Sequence, residues 1–237
     1  MSKAKFMVGK KVSIIIPFFN EEKSLAESLA RTFKASALDY EKEYVVIDDG
    51  SSDGSLSILN SLRPKYDFIL LKQEENAGKG AAVRAGFKKA NGDIVLIQDA
   101  DLEYDPNQWQ LLLKEFDDPG VSVVFGSRNI HPKRRGYWHY VFGVKLLTML
   151  TNRLYGSKLT DVYTCYKAFR KSVLDELDLK ADGFEIEAEI TVKLLKKGIA
   201  IKETPINYFP RKFSEGKKIK LQDGLKGFWT IVKNKVI

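Results

Sequence analysis

The first half of the chain alternates short apolar runs with segments of helical spacing, and this alternation restricts the possible folds more than any other feature. Five runs have the length and β-branched composition of buried strands. They cover residues 11–19, 43–55 (a strand running into a turn), 66–75, 92–101 and 121–129. The segments between them, 21–36, 55–62, 76–90 and 105–116, have helical spacing. Strand and helix in alternation predict an α/β fold with a mostly parallel sheet and helices on both of its faces.

Polar residues follow the predicted strands at the point where each strand ends. Such sheets bind ligands beyond the carboxyl ends of their strands. We therefore expect one site built from five clusters, which are Asn20-Glu21, Asp48-Asp49, Asn76–Gly80, Asp99–Asp101 and Ser127-Arg128.

The second half is less regular. We predict helices at 137–156 and 184–198, the latter closed by Gly198, a loop becoming a helix at 160–177, a strand at 199–209, a mobile segment at 210–224 and an amphipathic tail at 225–237.

No internal repeat or low-complexity linker divides the chain. We expect one domain over 1–237, with a nucleotide-binding half (11–130) and an acceptor-binding half (131–237).

Charge is spread unevenly along the 237 residues. The net charge is +8, but residues 1–120 carry −4 and residues 121–237 carry +12. A basic second half favours an anionic partner, and the alternative is a lysine-rich surface that serves solubility.

The single cysteine, Cys165, excludes an internal disulfide and fits a reducing compartment. With neither a signal peptide nor a long apolar run, we expect a cytoplasmic protein.

The stretch "LIQDADLEYDP" places four carboxylates at alternate positions from Asp99 to Asp105. Hard divalent cations prefer such oxygen ligands. If the chain stays extended, Asp99, Asp101 and Glu103 face one point, which predicts a metal or nucleotide site. The alternative is an acidic turn, and Asp105 before Pro106 is the expected helix N-cap.

Two further turns suit a nucleotide. Asp48 and Asp49 end a buried strand, where a carboxylate can accept hydrogen bonds from a base or ribose. The alternative there is a Ser/Asp turn with an N-cap at Ser52 or Asp53. Lys79 and its neighbouring glycines begin a helix, an arrangement that suits phosphate, although the spacing matches neither a P-loop nor a Rossmann fingerprint.

Arginines are candidates for binding an anion in the second half. Arg128 ends a strand, Arg134 and Arg135 follow it, and Arg211 opens a lysine-rich segment. Guanidinium groups suit phosphate oxygens, and surface solubility is again the alternative. His131, His139 and Cys165 are interpreted as structural.

Taken in order, several motifs resemble the family 2 glycosyltransferases, and within them the dolichyl-phosphate mannose synthase group. The resemblance covers residues 11–224. Its motifs are "VSIIIPFFNEE", "VVIDDGSSDGS", "NAGKGAAVRAG", "DADLEYDP", "VVFGSRN", "TDVYTCYKAFRKSVL", "GFEIEAEI", "ETPINYFPR" and "EGKKIKLQDG".

The resemblance implies a GT-A fold, a nucleotide-sugar donor, Mg²⁺ or Mn²⁺, and inversion at the anomeric carbon. It implies that the nucleotide is lined by Pro17, Phe19, Glu21, Asp49 and Lys79. Asp99 would lie by the ribose and metal, with Asp101 and Glu103 as metal ligands. Arg128, with Arg134 or Arg135, would meet an acceptor phosphate, and Asp161 would lie near the anomeric centre. The closing loop would supply Arg211, Ser214 and Lys217 to the diphosphate.

This chain departs from the group in two respects. Many members carry Gln where this chain has Glu103, and many carry C-terminal membrane helices, which we do not find before Ile237. We expect transfer to a polyprenyl phosphate at the cytoplasmic surface of a membrane, with no nucleic-acid partner.

Three alternatives stay open. The first is transfer to a sugar hydroxyl with Asp161 as general base. The second is nucleotidyl transfer, which would release pyrophosphate. The third is a nucleic-acid-binding module, which would explain the basic half but not the acids at the strand ends.

Overall fold

Apolar strands form one seven-stranded sheet in the computed structural model, which describes residues 10–130, 138–211, 218 and 221–236. The strands are β1 (Lys11–Phe18), β2 (Glu41–Asp48), β3 (Ile69–Lys72), β4 (Ile94–Ile97), β5 (Val123–Ser127), β6 (Lys167–Arg170) and β7 (Lys202–Pro205). Their order across the sheet is β3-β2-β1-β4-β6-β5-β7. Only β6 runs antiparallel to its neighbours, β4 and β5. The predicted mostly parallel α/β sheet is confirmed.

Helices cover both faces of this sheet. They are α1 (Leu25–Lys34), α2 (Ser55–Leu62), α3 (Lys79–Lys89), α4 (Trp109–Leu113, between two 3-10 turns), α5 (Trp138–Tyr155), α6 (Lys171–Asp175), α7 (Ile186–Lys196) and α8 (Leu221–Val236). Alternate residues of β1 serve the two faces: Ile14 packs with α1, α2 and α4, whereas Ile15 packs with α3, α6 and α7. Each such buried side chain contributes about 1.5–3 kcal/mol to folding. The strand interiors therefore fix the scaffold and leave the strand ends for function.

A third cluster joins α5 and α8 to α7. Leu147, Val192 and Ile231 are its buried centre, and the Tyr155 hydroxyl donates to the Ile231 carbonyl at 2.8 Å. Within the described ranges, no helix is both long and apolar enough to cross a bilayer.

The prediction for 160–177 was wrong in part. A strand, β6, precedes the short helix α6. Lys167 begins this strand and can be buried in the sheet because it forms an ion pair with Glu187. Several strands are also shorter than predicted, notably 92–101, where β4 ends at Ile97. Gly198 has the predicted helix-closing conformation, with φ at 70°.

The expectation of a mobile segment at 210–224 is wrong for its last four residues. Residues 212–217 and 219–220 lie outside the described residues. Residues 221–224 are the first turn of α8, so the helix of the tail begins earlier than predicted.

Candidate active site

The loops that carry the predicted polar clusters are joined by hydrogen bonds and ion pairs at the carboxyl ends of the strands. Asp49 follows β2 and accepts from the backbone of Ala77 at 2.9 Å and of Gly78 at 3.0 Å. Burial raises the pKa of Asp49 above its usual value, although these two amides oppose the change. The Asp49 carboxylate thus holds the glycine loop that precedes α3.

Asp48 has a different environment. Its Oδ1 accepts from the Ser51 amide at 2.8 Å, while Oδ2 is buried without a hydrogen-bond partner. An orphan buried acceptor of this kind is costly. Asp48 therefore keeps an unused acceptor oxygen in a fully buried side chain.

Lys79, at the start of α3, lies between two acids. Its Nζ is 2.9 Å from Asp99 and 3.1 Å from Glu187, and 2.9 Å from the sulfur of Cys165. Burial lowers the pKa of Lys79, but Asp99, Cys165 and Glu187 together outweigh it, so the pKa lies well above its usual value. Burial raises the pKa of Asp99, but Lys79, with smaller contributions from Cys165 and Arg211, outweighs this and the pKa is lowered. The two predicted site residues form one buried ion pair.

The acidic stretch turns rather than extends. Leu102 has φ at 63°, in the left-handed region, and the strand has ended at Ile97. The reasoning that strand alternation aligns the three acids was therefore wrong. The expected N-cap is confirmed, because the Asp105 carboxylate accepts from the Asn107 amide at 3.0 Å.

Arg211 lies among the acids that this turn and β1 present. Its guanidinium is 2.9 Å from Glu21 and 3.3 Å from Asp101, and its backbone amide donates to Glu103 at 2.8 Å. The Tyr208 hydroxyl donates to the other oxygen of Glu103 at 2.5 Å. Burial, with the charges of Glu103 and then Asp99, raises the pKa of Asp101 to about 7. Negative charge is thus concentrated here, and a guanidinium offsets part of it.

This acidic group fits a hard divalent cation by its chemistry, since carboxylate oxygens are the preferred ligands of Mg²⁺ and Mn²⁺. Within the part of the chain that the structure describes, no three His, Cys, Asp or Glu side chains are arranged around one point as a metal site. Asp99 bonds to Lys79, and Glu103 bonds to Tyr208 and Arg211. The set Asp99, Asp101 and Glu103 stays a prediction.

Arg128 and Asp161 form a second buried ion pair, between β5 and the loop before β6. Arg128 Nε donates to Asp161 Oδ2 at 2.7 Å, Nη2 to Oδ1 at 2.9 Å, and the backbone amide to Oδ2 at 3.1 Å. Asp161 is fully buried. Burial raises the pKa of Asp161, but Arg128 outweighs it and the pKa lies below its usual value. Glu203 holds this loop by accepting from the Thr160 and Asp161 amides.

The remaining predicted residues divide into two groups. Pro17 lies within β1 in register with Ile47, and the carbonyl of Phe19 accepts from Lys218, which also lies 2.6 Å from Glu21. Four predicted residues lie outside the described residues: Arg134, Arg135, Ser214 and Lys217.

The structure adds residues that the sequence reasoning did not single out. Glu187 bridges Lys79 and Lys167, Tyr208 binds Glu103, and Glu203 supports Asp161. One signal was available for Glu187. It lies among the apolar residues Ile186, Ala188 and Ile190 of α7, and an acid that is buried with them needs a charged or hydrogen-bonding partner.

Comparison with known proteins identifies the family. The family described as Glycosyl transferase family 2 matches residues 13–178. A dolichol-phosphate mannosyltransferase from Pyrococcus furiosus is 31% identical over 214 residues, covering 87% of this chain and 59% of that protein. An undecaprenyl-phosphate 4-deoxy-4-formamido-L-arabinose transferase from Proteus mirabilis is 33% identical over 170 residues, 70% of this chain and 51% of that protein. The chain thus spans little more than half the length of these relatives.

Solved structures of glucosyl-3-phosphoglycerate synthase from Mycobacterium tuberculosis share the fold. The complex with Mn²⁺, UDP and glucosyl-3-phosphoglycerate has a TM-score of 0.74 at 19% identity, covering 97% of this chain and 81% of that one. The same enzyme has been solved with Mg²⁺ and UDP. At this identity the likeness shows the fold, which is the GT-A arrangement implied by the motifs. Because the family match extends over most of the chain, the protein belongs to glycosyl transferase family 2.

Proposed function

We propose that this protein transfers a hexose, with inversion, from a nucleotide sugar of the GDP-mannose or UDP-glucose type to a polyprenyl phosphate, and that the reaction depends on Mg²⁺ or Mn²⁺. Two observations on other proteins support the substrates: relatives are named as dolichol-phosphate and undecaprenyl-phosphate transferases, and structural neighbours hold UDP with either metal.

The observation that carries the choice of acceptor is the Arg128–Asp161 pair. A sugar hydroxyl must lose a proton during transfer, and a general base has to accept it. Both oxygens of Asp161 already accept from Arg128, and its pKa lies below the usual value, which makes it a weak base. A phosphate monoester is already anionic near neutral pH and needs only to be positioned. The pair therefore favours a phosphate acceptor over a hydroxyl acceptor.

In this proposal Asp161 orients Arg128, and Arg128 meets the acceptor phosphate together with Arg134 or Arg135. A bidentate carboxylate fixes the plane of a guanidinium. The Arg128 guanidinium also lies 5.0 Å from the ring centre of Tyr208, which restricts it further. The acceptor anion would thus meet a cation that is already oriented.

On the donor side, Pro17, Phe19, Glu21, Asp48 and Asp49 would line the nucleotide. Lys79 stays charged beside Asp99 because its pKa is raised. Arg211, Ser214 and Lys217 would bind the diphosphate.

Asp99, Asp101 and Glu103 would hold the divalent cation, which when bound neutralises charge developing on the nucleoside diphosphate. Arg211 would then exchange its contacts with Glu21 and Asp101 for contacts with the donor.

A membrane surface is the proposed location, and two exposed helix faces support it. On α5, apolar residues three and four apart are exposed: Phe142, Leu146 and Met149. On α8 the exposed apolar residues are Leu225, Phe228, Trp229 and Val236. Trp229 is 63% exposed, a high value for a tryptophan.

Basic residues accompany both faces, namely Lys145 and Arg153 on α5, and Lys226, Lys233 and Lys235 on α8. An apolar stripe flanked by lysines is typical of helices that lie in an anionic lipid interface. Ile231, on the other side of α8, packs on α7, whereas these apolar residues stay exposed. We propose that they contact the anionic cytoplasmic surface of the membrane that carries the lipid acceptor.

The transfer is tested by a donor screen with Mn²⁺ and Mg²⁺ that measures GDP or UDP release with and without a polyprenyl phosphate. We expect Asp101→Asn to abolish turnover, while Asp105→Asn, which keeps a good N-cap residue, retains it. The assignment of the acceptor is contradicted if GDP or UDP release requires a sugar acceptor. It is also contradicted if the release is the same with and without the polyprenyl phosphate. Pyrophosphate as the product contradicts glycosyl transfer.

The location is tested by sedimentation with vesicles of phosphatidylcholine alone or with phosphatidylglycerol. We expect binding only to the anionic vesicles and a marked loss for Trp229→Ser. The matched control is Leu111→Ser, which removes a residue that is 46% exposed on α4. Equal binding by the two variants, or dimerisation through Trp229 seen by light scattering without vesicle binding, contradicts this part of the proposal.

A further inference from the structure

Glu187 lies where the donor side and the acceptor side of the site meet, in the first turn of α7, and is 2% exposed. Its Oε1 is 3.1 Å from Lys79 Nζ and its Oε2 is 2.5 Å from Lys167 Nζ. Oε1 accepts no hydrogen bond of good geometry, so charge attraction holds Lys79 at that oxygen. A buried carboxylate between two ammonium groups is costly to assemble unless its geometry is fixed.

The two lysines extend this contact in opposite directions. Lys79 reaches Asp99, 2.9 Å away. Lys167 donates to the backbone carbonyls of Val162, at 3.2 Å, and Thr164. Those carbonyls belong to the loop that begins at Asp161, the partner of Arg128. The four side chains form one buried row of alternating charge, Asp99–Lys79–Glu187–Lys167, and we call it the charge row.

We propose that Glu187 is a positioning residue for the transfer reaction. With one oxygen it holds Lys79 beside Asp99, and with the other it holds Lys167 under the 161–165 loop. It thereby fixes the donor-side acid relative to the Arg128–Asp161 pair. This inference rests on the proposed function, since it assigns Asp99 and Arg128 to the two substrates of one transfer.

A purely structural role is the competing explanation, because Lys167 is fully buried and Glu187 is its acidic partner among the described residues. A double variant separates the two roles. Glu187→Gln alone leaves Lys167 buried without a carboxylate, whereas Glu187→Gln with Lys167→Met removes both charges. If neutralising Lys167 were the whole role, the double variant would regain stability and activity together.

We expect Glu187→Gln to lower kcat about 10- to 100-fold, the effect typical of removing a residue that orients site groups, with little change in the KM for the donor. The double variant should regain thermal stability but not kcat. The control is Glu189→Gln on the same helix, because Glu189 is also buried but bonds to Lys193 and to the backbone of residues 180 and 181. It should lose stability while keeping kcat.

Amide hydrogen exchange gives a readout that needs no turnover. In Glu187→Gln, exchange should rise both at 161–165 and at 99–103, which are linked through the charge row, whereas Glu189→Gln should leave both segments unchanged. A rise confined to α7, or recovery of kcat in the double variant, would overturn the inference. If the unmodified protein transfers no sugar, the proposed function is contradicted. Amide hydrogen exchange at 161–165 and 99–103 still tests, without turnover, whether Glu187 positions the two segments.

Discussion

Asp161→Asn should destabilise the protein far more than a single change from oxygen to nitrogen suggests. Three donors of Arg128, its Nε, Nη2 and backbone amide, converge on the two oxygens of Asp161 at 2.7–3.1 Å. Asparagine offers one acceptor oxygen and places an amide donor opposite a guanidinium donor. Arg128, only 9% exposed, is left as a buried cation with one or two of these three hydrogen bonds.

The expected magnitude follows from these contacts. Each hydrogen bond to a charged group contributes about 1.5–3 kcal/mol, and at least one is lost together with the neutralising charge. Removing one partner of a buried ion pair costs about 3–5 kcal/mol. We therefore expect the free energy of unfolding to fall by about 3–5 kcal/mol. Replacing both partners, as in Arg128→Met with Asp161→Leu, should recover most of this loss, because no buried charge is left unpaired.

Urea unfolding followed by circular dichroism measures the difference. The control is Asp178→Asn, which removes the acid of an exposed pair with Lys180 and should leave the urea midpoint almost unchanged. The pH dependence has a definite sign. Because the folded-state pKa of Asp161 is lowered, the advantage of the unmodified protein is complete above the unfolded pKa. It disappears as the pH falls through the lower, folded value. A loss below about 1 kcal/mol at neutral pH would refute the reasoning, since a buried pair costs more than that to break.

Three further predictions concern the scaffold. Burial raises the pKa of Glu43, but hydrogen bonds from Ser13 and its other neighbours outweigh this and lower the pKa from 4.5 to about 2. The urea concentration at the unfolding midpoint should therefore decrease as the pH is lowered from 4.5 to about 2. Glu43→Gln should weaken this pH dependence. Gly80→Ala would place a Cβ 2.3 Å from the carbonyl oxygen of Ala181, so we expect a loss of about 1–3 kcal/mol in urea unfolding and weaker binding of GDP or UDP by calorimetry. Trp109→Phe removes the hydrogen bond of a fully buried indole, and thermal unfolding should show a loss of about 1–3 kcal/mol.

Elements with an apolar interior could be predicted from the sequence, and those that depend on buried charge could not. β1 and β4 were identifiable because "SIIIP" and "IVLI" are almost entirely apolar, and in the structure every one of these side chains is buried. β6 was missed because it begins with Lys167, a residue type that indicates solvent exposure. Its burial depends on Glu187, twenty residues away, and no local rule anticipates that pairing.

The site shows the same division. The sheet topology predicted that Glu21, Lys79 and Asp99 would lie at one edge, and they do. The turn at Leu102 was not predictable, because leucine rarely adopts a left-handed conformation. The pairing of Arg211 with Glu21, 190 residues apart, depends on where the folded chain returns and has no local signal.

The place of β6 in the sheet has a consequence for how the molecule can be divided. β4 and β5 do not touch directly, because the chain comes back from the acceptor side to lay β6 between them. We therefore expect the two halves to fold together, because a fragment ending near residue 130 would leave the adjoining edges of β4 and β5 without β6. Among the described residues the sheet is therefore continuous through both halves, and any motion of one half against the other would have to break the pairing of β6 with β4 or with β5.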